Sequence, residues 1–138
     1  MIMDKKVFTW TVCGVIIAFA VVLLFLWLRK KLKRDVTSTI EVNEANLTLP
    51  KTNYTLYANQ LYTAMNGAGT DEKTIYRVLG QLQSADDWYQ LVKAFGTKKA
   101  SSWLSGFEGT LYDWLSDELS AKEMKRVNEI LANIGITI

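Results

Sequence analysis

Residues 64–79 read AMNGAGTDEKTIYRVL. They pass from the end of one helix, through a glycine-punctuated turn, into the start of the next. Upstream, Tyr57, Leu61, Ala64 and Met65 share one face at helical spacing, and Gly67 supplies a residue able to take a positive φ beyond the helix end. Downstream, Thr70 is the expected N-cap, Asp71 and Glu72 fall in the positive first turn, and Ile75, Val78, Leu79 and Leu82 face inward. The stretch therefore predicts helix, tight turn, helix, and the same period runs on through the C-terminal half of the chain.

Similar punctuation recurs toward the C-terminus. Ser84 with Asp87 predicts a capping box, Asp standing in for Glu, that opens a helix carrying Trp88, Leu91, Val92 and Phe95 and stopped by Gly96. Residues 97–110, TKKASSWLSGFEGT, are rich in turn formers, yet Trp103, Leu104 and Phe107 predict a loop pinned to the core. Thr110 precedes a fourth helix with Leu111, Trp114, Leu115 and Leu119 inward. Ser120 and Glu123 box a fifth, whose stripe runs Met124, Val127, Leu131 and Ile134 before Gly135. The expected fold is all-α, five short helices around one core over residues 55–138, roughly 85 residues and near the lower practical size of an independent domain.

Before these helices the pattern changes twice. Residues 35–54 are polar, rich in Thr and Asn and broken by the only proline, so they predict an extended linker with one short strand near Ile40 to Val42. Val7 to Leu28 is a run of 22 residues without a charge. At 1.5 Å per residue it spans about 33 Å as a helix, enough for a bilayer core of about 30 Å. Trp10 and Trp27 stand near its two ends, where an aromatic belt belongs. A cleavable signal peptide fits less well, because the run is too long for an h-region and ends in LFLWLRKKLKR with no small-residue cleavage site. Residues 1–34 are thus read as an uncleaved membrane anchor. Lys5 and Lys6 precede it while Arg29, Lys30, Lys31, Lys33 and Arg34 come after, so positive-inside bias places the C-terminal domain in the cytoplasm. The basic cluster also suits lipid headgroups.

Composition excludes several chemistries. The chain of 138 residues has no His, which removes Ser-His and Cys-His nucleophile systems and imidazole-bound zinc. Its single cysteine, Cys13, forms no internal disulfide and no thiolate cage, and within the apolar run it reads as a packing residue. The net charge of +2 conceals a division: seven Lys/Arg against Asp4 alone in residues 1–34, nine against thirteen acids beyond them. The excess basicity sits beside the apolar run and is no sign of nucleic-acid binding. Asn46 and Asn53 meet the Asn-x-Thr pattern, but a cytoplasmic domain is not glycosylated. Asp113, Asp117 and Glu118 on one helix do not make opposing sides of a glycosidic bond. Asp86 and Asp87 suit a helix dipole, and Lys98 and Lys99 read as a charge pair in a loop.

The stretch AMNGAGTDEKTIYRVL resembles the start of an annexin repeat, in which a first helix ends in a Met-x-Gly-x-Gly-Thr-Asp-Glu loop that opens the second. LVKAFG resembles the end of a third helix of that repeat and WLSDELS the end of a fourth. The likeness covers one repeat where annexins usually carry four. About eight extra residues lie between Phe95 and the DEL segment, and VNEILANIGITI is not a typical annexin ending. It is most similar to stand-alone annexin-like modules of Bacteroidetes-type bacteria and their phages. The resemblance implies a calcium loop formed by the carbonyls of Met65, Gly67 and Gly69 with a carboxylate from Glu118, or from Asp117 one residue earlier. Gly67 and Gly69 also read simply as helix-end glycines and the two acids as solvated surface groups. One carboxylate with three carbonyls makes only a weak site.

The expected function is that of a non-enzymatic single-pass membrane protein that tethers or docks an assembly to a bilayer. Its helical module would meet a protein partner, capsid proteins if it is a minor structural component of a phage virion, with the domain then facing the shell. No cofactor is required. One alternative is a calcium-dependent membrane-adhesion module. Another is a membrane-tethered murein lysin, for which Glu108 is the acid placed in irregular chain.

Overall fold

The computed structural model of the chain describes residues 19–24, 39–101 and 106–138, and it divides the protein into two units, Met1–Val36 and Thr37–Ile138. In the first unit residues 19–24 are helical, and Phe19, Val21, Val22, Leu23 and Leu24 are all at least half exposed. The rest of the Val7–Leu28 run lies outside the described residues, as do Trp10, Trp27, Arg29, Lys30, Lys31, Lys33 and Arg34. Among the described residues no helix is long and apolar enough to cross a membrane.

The second unit is helical, with five α-helices among its described residues. α1 is Lys51–Met65, α2 Glu72–Leu79, α3 Ala85–Phe95, α4 Leu111–Glu118 and α5 Ala121–Ala132. A two-residue antiparallel hairpin, β1 Lys98–Lys99 with β2 Glu108–Gly109, joins α3 to α4. α1 is the hub, packed along α3 and α2 and touching α4, while α5 closes over α2. The apolar stripes read from the sequence meet here: Leu61, Ile75, Trp88, Leu91, Leu115 and Leu131 are among the fully buried side chains. Tyr57, Met124 and Ile134, expected on the inward stripes, are only partly buried at the margin.

The caps explain the boundaries. The Ser84–Asp87 and Ser120–Glu123 boxes both form, and Thr110 N–H and Oγ1 both donate to Asp113 at 2.8 Å. Each ties up amides that a helix start leaves without partners. Phe107 packs edge-on to Trp114, with ring centroids 5.0 Å apart, and Trp114 Nε1 donates to the Lys98 carbonyl at 3.2 Å, so the described part of the connection is pinned to the core, as expected of Phe107. Trp103 and Leu104 lie outside the described residues.

Several local expectations are corrected. The linker expected over residues 35–54 gives way to folded structure from Thr39 onward. Ile40, Leu47 and Leu49 pack against the core, and α1 begins at Lys51 rather than after Thr55. Pro50 can stand just before that helix because its missing N–H falls where no intrahelical partner is needed. No strand forms at residues 40–42; the regular element in this stretch is a 3-10 turn, Glu44–Asn46, started by Asn43. Asp71, not Thr70, caps α2, accepting from Thr74 N–H at 3.1 Å and from the Thr74 hydroxyl at 2.7 Å. The positive φ in the 66–70 loop falls on Gly69, at +94°, and not on Gly67. α1 ends at Asn66 in a non-helical conformation of negative φ, −99°, so the left-handed turn is deferred to the residue before Thr70. Lys98 and Lys99, read as a loop pair, stand in β1 instead, with Lys99 3.9 Å from Glu108 across the hairpin.

Candidate functional site

The loop that the sequence singles out borders a surface hollow of about 470 Å³. Met65, Asn66, Gly67 and Ala68 form one wall, Ala100 and Ser101 of the hairpin another, and Trp114 and Glu118 of α4 the third. Asp71 N–H donates to the Ala64 carbonyl at 2.9 Å and closes the loop at its base, and Ser101 N–H donates to Asn66 Oδ1 at 2.8 Å. Three of the four candidate ligand residues, Met65, Gly67 and Glu118, therefore come together at one hollow. Gly69 is in the same loop but does not line it. Of the two acids it is Glu118 that lines the hollow, its Oε2 accepting from the Thr70 hydroxyl at 2.8 Å, while Asp117 is exposed one residue earlier.

Tested as a cation site, this donor set is thin. Among the described residues Glu118 brings the only carboxylate to the hollow, and one of its oxygens already holds Thr70. Among the described residues no group of three or more His, Cys, Asp or Glu gathers anywhere. Backbone oxygens with a single carboxylate suit calcium only in its weakest class of sites, because affinity depends on the charge and rigidity of the ligands.

A second cluster has no counterpart among the sequence candidates. Asp87, for which the sequence suggests only a capping and helix-dipole role, is fully buried and has the densest set of hydrogen bonds among the described residues. Oδ1 accepts from Thr48 N–H at 2.9 Å and from the Tyr54 hydroxyl. Oδ2 accepts from the Thr48 hydroxyl at 2.5 Å, Gln83 N–H at 2.8 Å and Ser84 N–H at 3.2 Å. Its neighbour Asp86 accepts from Asn43 N–H and from Asn46 Nδ2, each at 2.8 Å. Burial pushes the Asp87 carboxyl up, but the donors from Thr48, Tyr54 and Gln83 outweigh it and hold the group below the usual carboxylate range. The Tyr54 phenol moves the other way, pushed up to about 12 by burial first and then by its bond to Asp87. The shared proton thus stays on the phenol. The signal present in the sequence is the Ser84–Asp87 box; nothing in it announces that a carboxylate already engaged in capping also collects Thr48 from 39 residues away.

The remaining sequence candidates are separate. Glu108 is exposed on β2 opposite Lys99, and Asp113 is spent on the Thr110 cap. No family model, curated protein or solved structure matches this chain.

Proposed function

We propose that the chain is a non-enzymatic, single-pass membrane protein whose annexin-like helical module docks a protein partner and tethers an assembly to the bilayer, as a minor structural component of a membrane-containing phage virion would. The observation that carries this reading is the uncharged run Val7–Leu28 with five bases immediately after it. The exposed helical residues 19–24 support it: at 100° per residue, Phe19, Val21, Val22, Leu23 and Leu24 put apolar surface on every side of the helix, the condition of a segment solvated by lipid. Five short helices, with the glycine loop between the first two, support the module's kinship. The domain lies on the cytoplasmic side, or toward the shell in a virion, where capsid proteins are the partner.

The test is alkaline extraction of membranes from expressing cells, then protease treatment of intact cells and of opened vesicles. The chain is expected to stay in the membrane pellet and to lose its C-terminal domain only in opened vesicles. Release into the alkaline supernatant overturns the anchor, and digestion in intact cells overturns the orientation.

Calcium-dependent adhesion stands as a second reading because Glu118 reaches the loop through Thr70. Calorimetric titration of the chain with millimolar calcium in the presence of anionic vesicles separates the two, heat and lipid binding belonging to adhesion alone.

A further inference from the structure

We infer that residues 39–50 are a strap that opens as a unit from the helical module while the helices stay folded, lengthening the connection between the basic cluster and α1; this rests on the tether reading above. The stretch is held differently from the rest of the unit. None of its residues is buried, whereas α1, which it leads into, buries Tyr54, Ala58, Leu61, Ala64 and Met65. Its apolar contacts are the half-buried Ile40, Leu47 and Leu49. What fixes it is a row of polar bonds, most of them ending on two carboxylates at the start of α3, together with the exposed Glu44–Lys51 ion pair, 2.6 Å, to the first residue of α1. Asn43 and Asn46 are held by Asp86, and Thr48 is held twice by Asp87. The Asn46 carbonyl accepts from Ser84 Oγ at 3.0 Å, and Leu49 N–H donates to the Tyr54 hydroxyl at 3.3 Å.

The order of these bonds along the chain matters. A pull arriving from the N-terminal side meets the apolar contact of Ile40 first, then Asn43, Asn46 and Thr48, and only afterwards Pro50 and α1. The bonds to the start of α3 are loaded in succession, so the strap peels before tension reaches α1 along the chain. The open state is also tolerable chemically. Asp87 keeps Gln83 N–H, Ser84 N–H and the Tyr54 hydroxyl, and water replaces the two donors of Thr48. Segments with few buried apolar contacts and bonds at the surface are the ones that open below the global unfolding free energy. Opening releases twelve residues, about 40 Å of extended chain.

The test is hydrogen exchange read by mass spectrometry on the full chain in lipid nanodiscs, comparing peptides over 39–50 with peptides over α1 and α3. In the wild type the strap amides are expected to be protected but to exchange at least about ten-fold faster than those of the helix interiors. Thr48→Val and Asp86→Ala are each expected to speed exchange in 39–50 several-fold and leave α1 and α3 unchanged. Two results overturn the strap: exchange of 39–50 in step with the helices, which makes it part of one cooperative unit, or exchange at the unprotected rate in the wild type, which means no clasp. Variants that accelerate the helices equally count with the first. Flotation of the chain on a lipid gradient reads anchorage separately, so failure of the tether reading and failure of the strap are distinguishable.

Discussion

Asp87 and Glu118 each join stretches of chain far apart in sequence, and each carboxylate ends on a threonine, yet they differ in almost everything else. Asp87 is fully buried and collects five donors; Glu118 is half-buried and, among the described residues, accepts from the Thr70 hydroxyl alone. The same functional group is a structural keystone in one place and an adjustable surface contact in the other. Burial raises the cost of an unmet charge, so the number of donors around Asp87 measures what the fold requires there. Glu118, open to water, needs none of them and keeps an oxygen for something else.

The comparison breaks most visibly at Asp87. Asp87→Ala strips five donors of their acceptor and leaves the buried Tyr54 hydroxyl without its partner. It is expected to lower stability by roughly 3–4 kcal/mol, read as a fall in the urea midpoint of the helical signal in micelles. A loss below about 0.5 kcal/mol, the size of an ordinary surface change, would mean that solvent takes over the site freely.

The pH dependence sharpens the same point. The folded Asp87 carboxyl is depressed, so its contribution is present above the unfolded value near pH 4 and is lost as pH falls through the folded one. The folded Tyr54 phenol is raised to about 12, so the unfolded chain gives up that proton first, and stability declines as pH climbs from about 10 toward 12, by about 2 kcal/mol. Thermal melts across pH should show both limbs. Tyr54→Phe should shrink the alkaline limb to what the raised Tyr76 phenol contributes and, because it removes one of the donors that depress Asp87, should weaken the acid limb as well; an alkaline limb of unchanged size in that variant assigns it to another group.

Much of the module is legible in the chain because its signals are local. Ser84 with Asp87 and Ser120 with Glu123 act within one helical turn, and the stripes Ile75, Val78, Leu79 and Leu111, Trp114, Leu115 need only the helical period to find their side. The strap is illegible for the opposite reason. Leu47 and Leu49 alternate without sustaining a period, and the bonds that fold residues 43–48 end on Asp86 and Asp87, some forty positions on. The candidate loop lies between these cases. Its residues and its carboxylate can be read from the chain, but the identity of the left-handed glycine and of the cap depends on where α1 stops, which is decided at Asn66 by tertiary contacts.

That loop offers a finer comparison between two glycines. Gly69, at φ +94°, holds a conformation that costs an L-residue about 1 kcal/mol, whereas Gly67 has no positive φ and a Cβ there would meet nothing within 4 Å. Gly69→Ala is expected to lower the melting temperature by several degrees and Gly67→Ala to leave it within error. The reverse order would return the left-handed turn to Gly67.

The smallest expected effect is at Glu118, and it separates the two functional readings. Glutamine keeps a carbonyl oxygen for the Thr70 hydroxyl and removes only the charge. In a half-buried position Glu118→Gln should therefore change stability by no more than about 0.5 kcal/mol without calcium. With calcium the readings diverge. A ligand that binds only the folded state raises its melting temperature by mass action, so a calcium loop gives an increment in the wild type that disappears in Glu118→Gln. A docking module with a helix-joining loop gives the same melt in both proteins with and without the ion. The thin donor set, one carboxylate already holding Thr70, favours the second outcome. A calcium-dependent shift lost in Glu118→Gln would move the module from protein docking toward regulated lipid contact, and would leave the buried Asp87 clasp untouched.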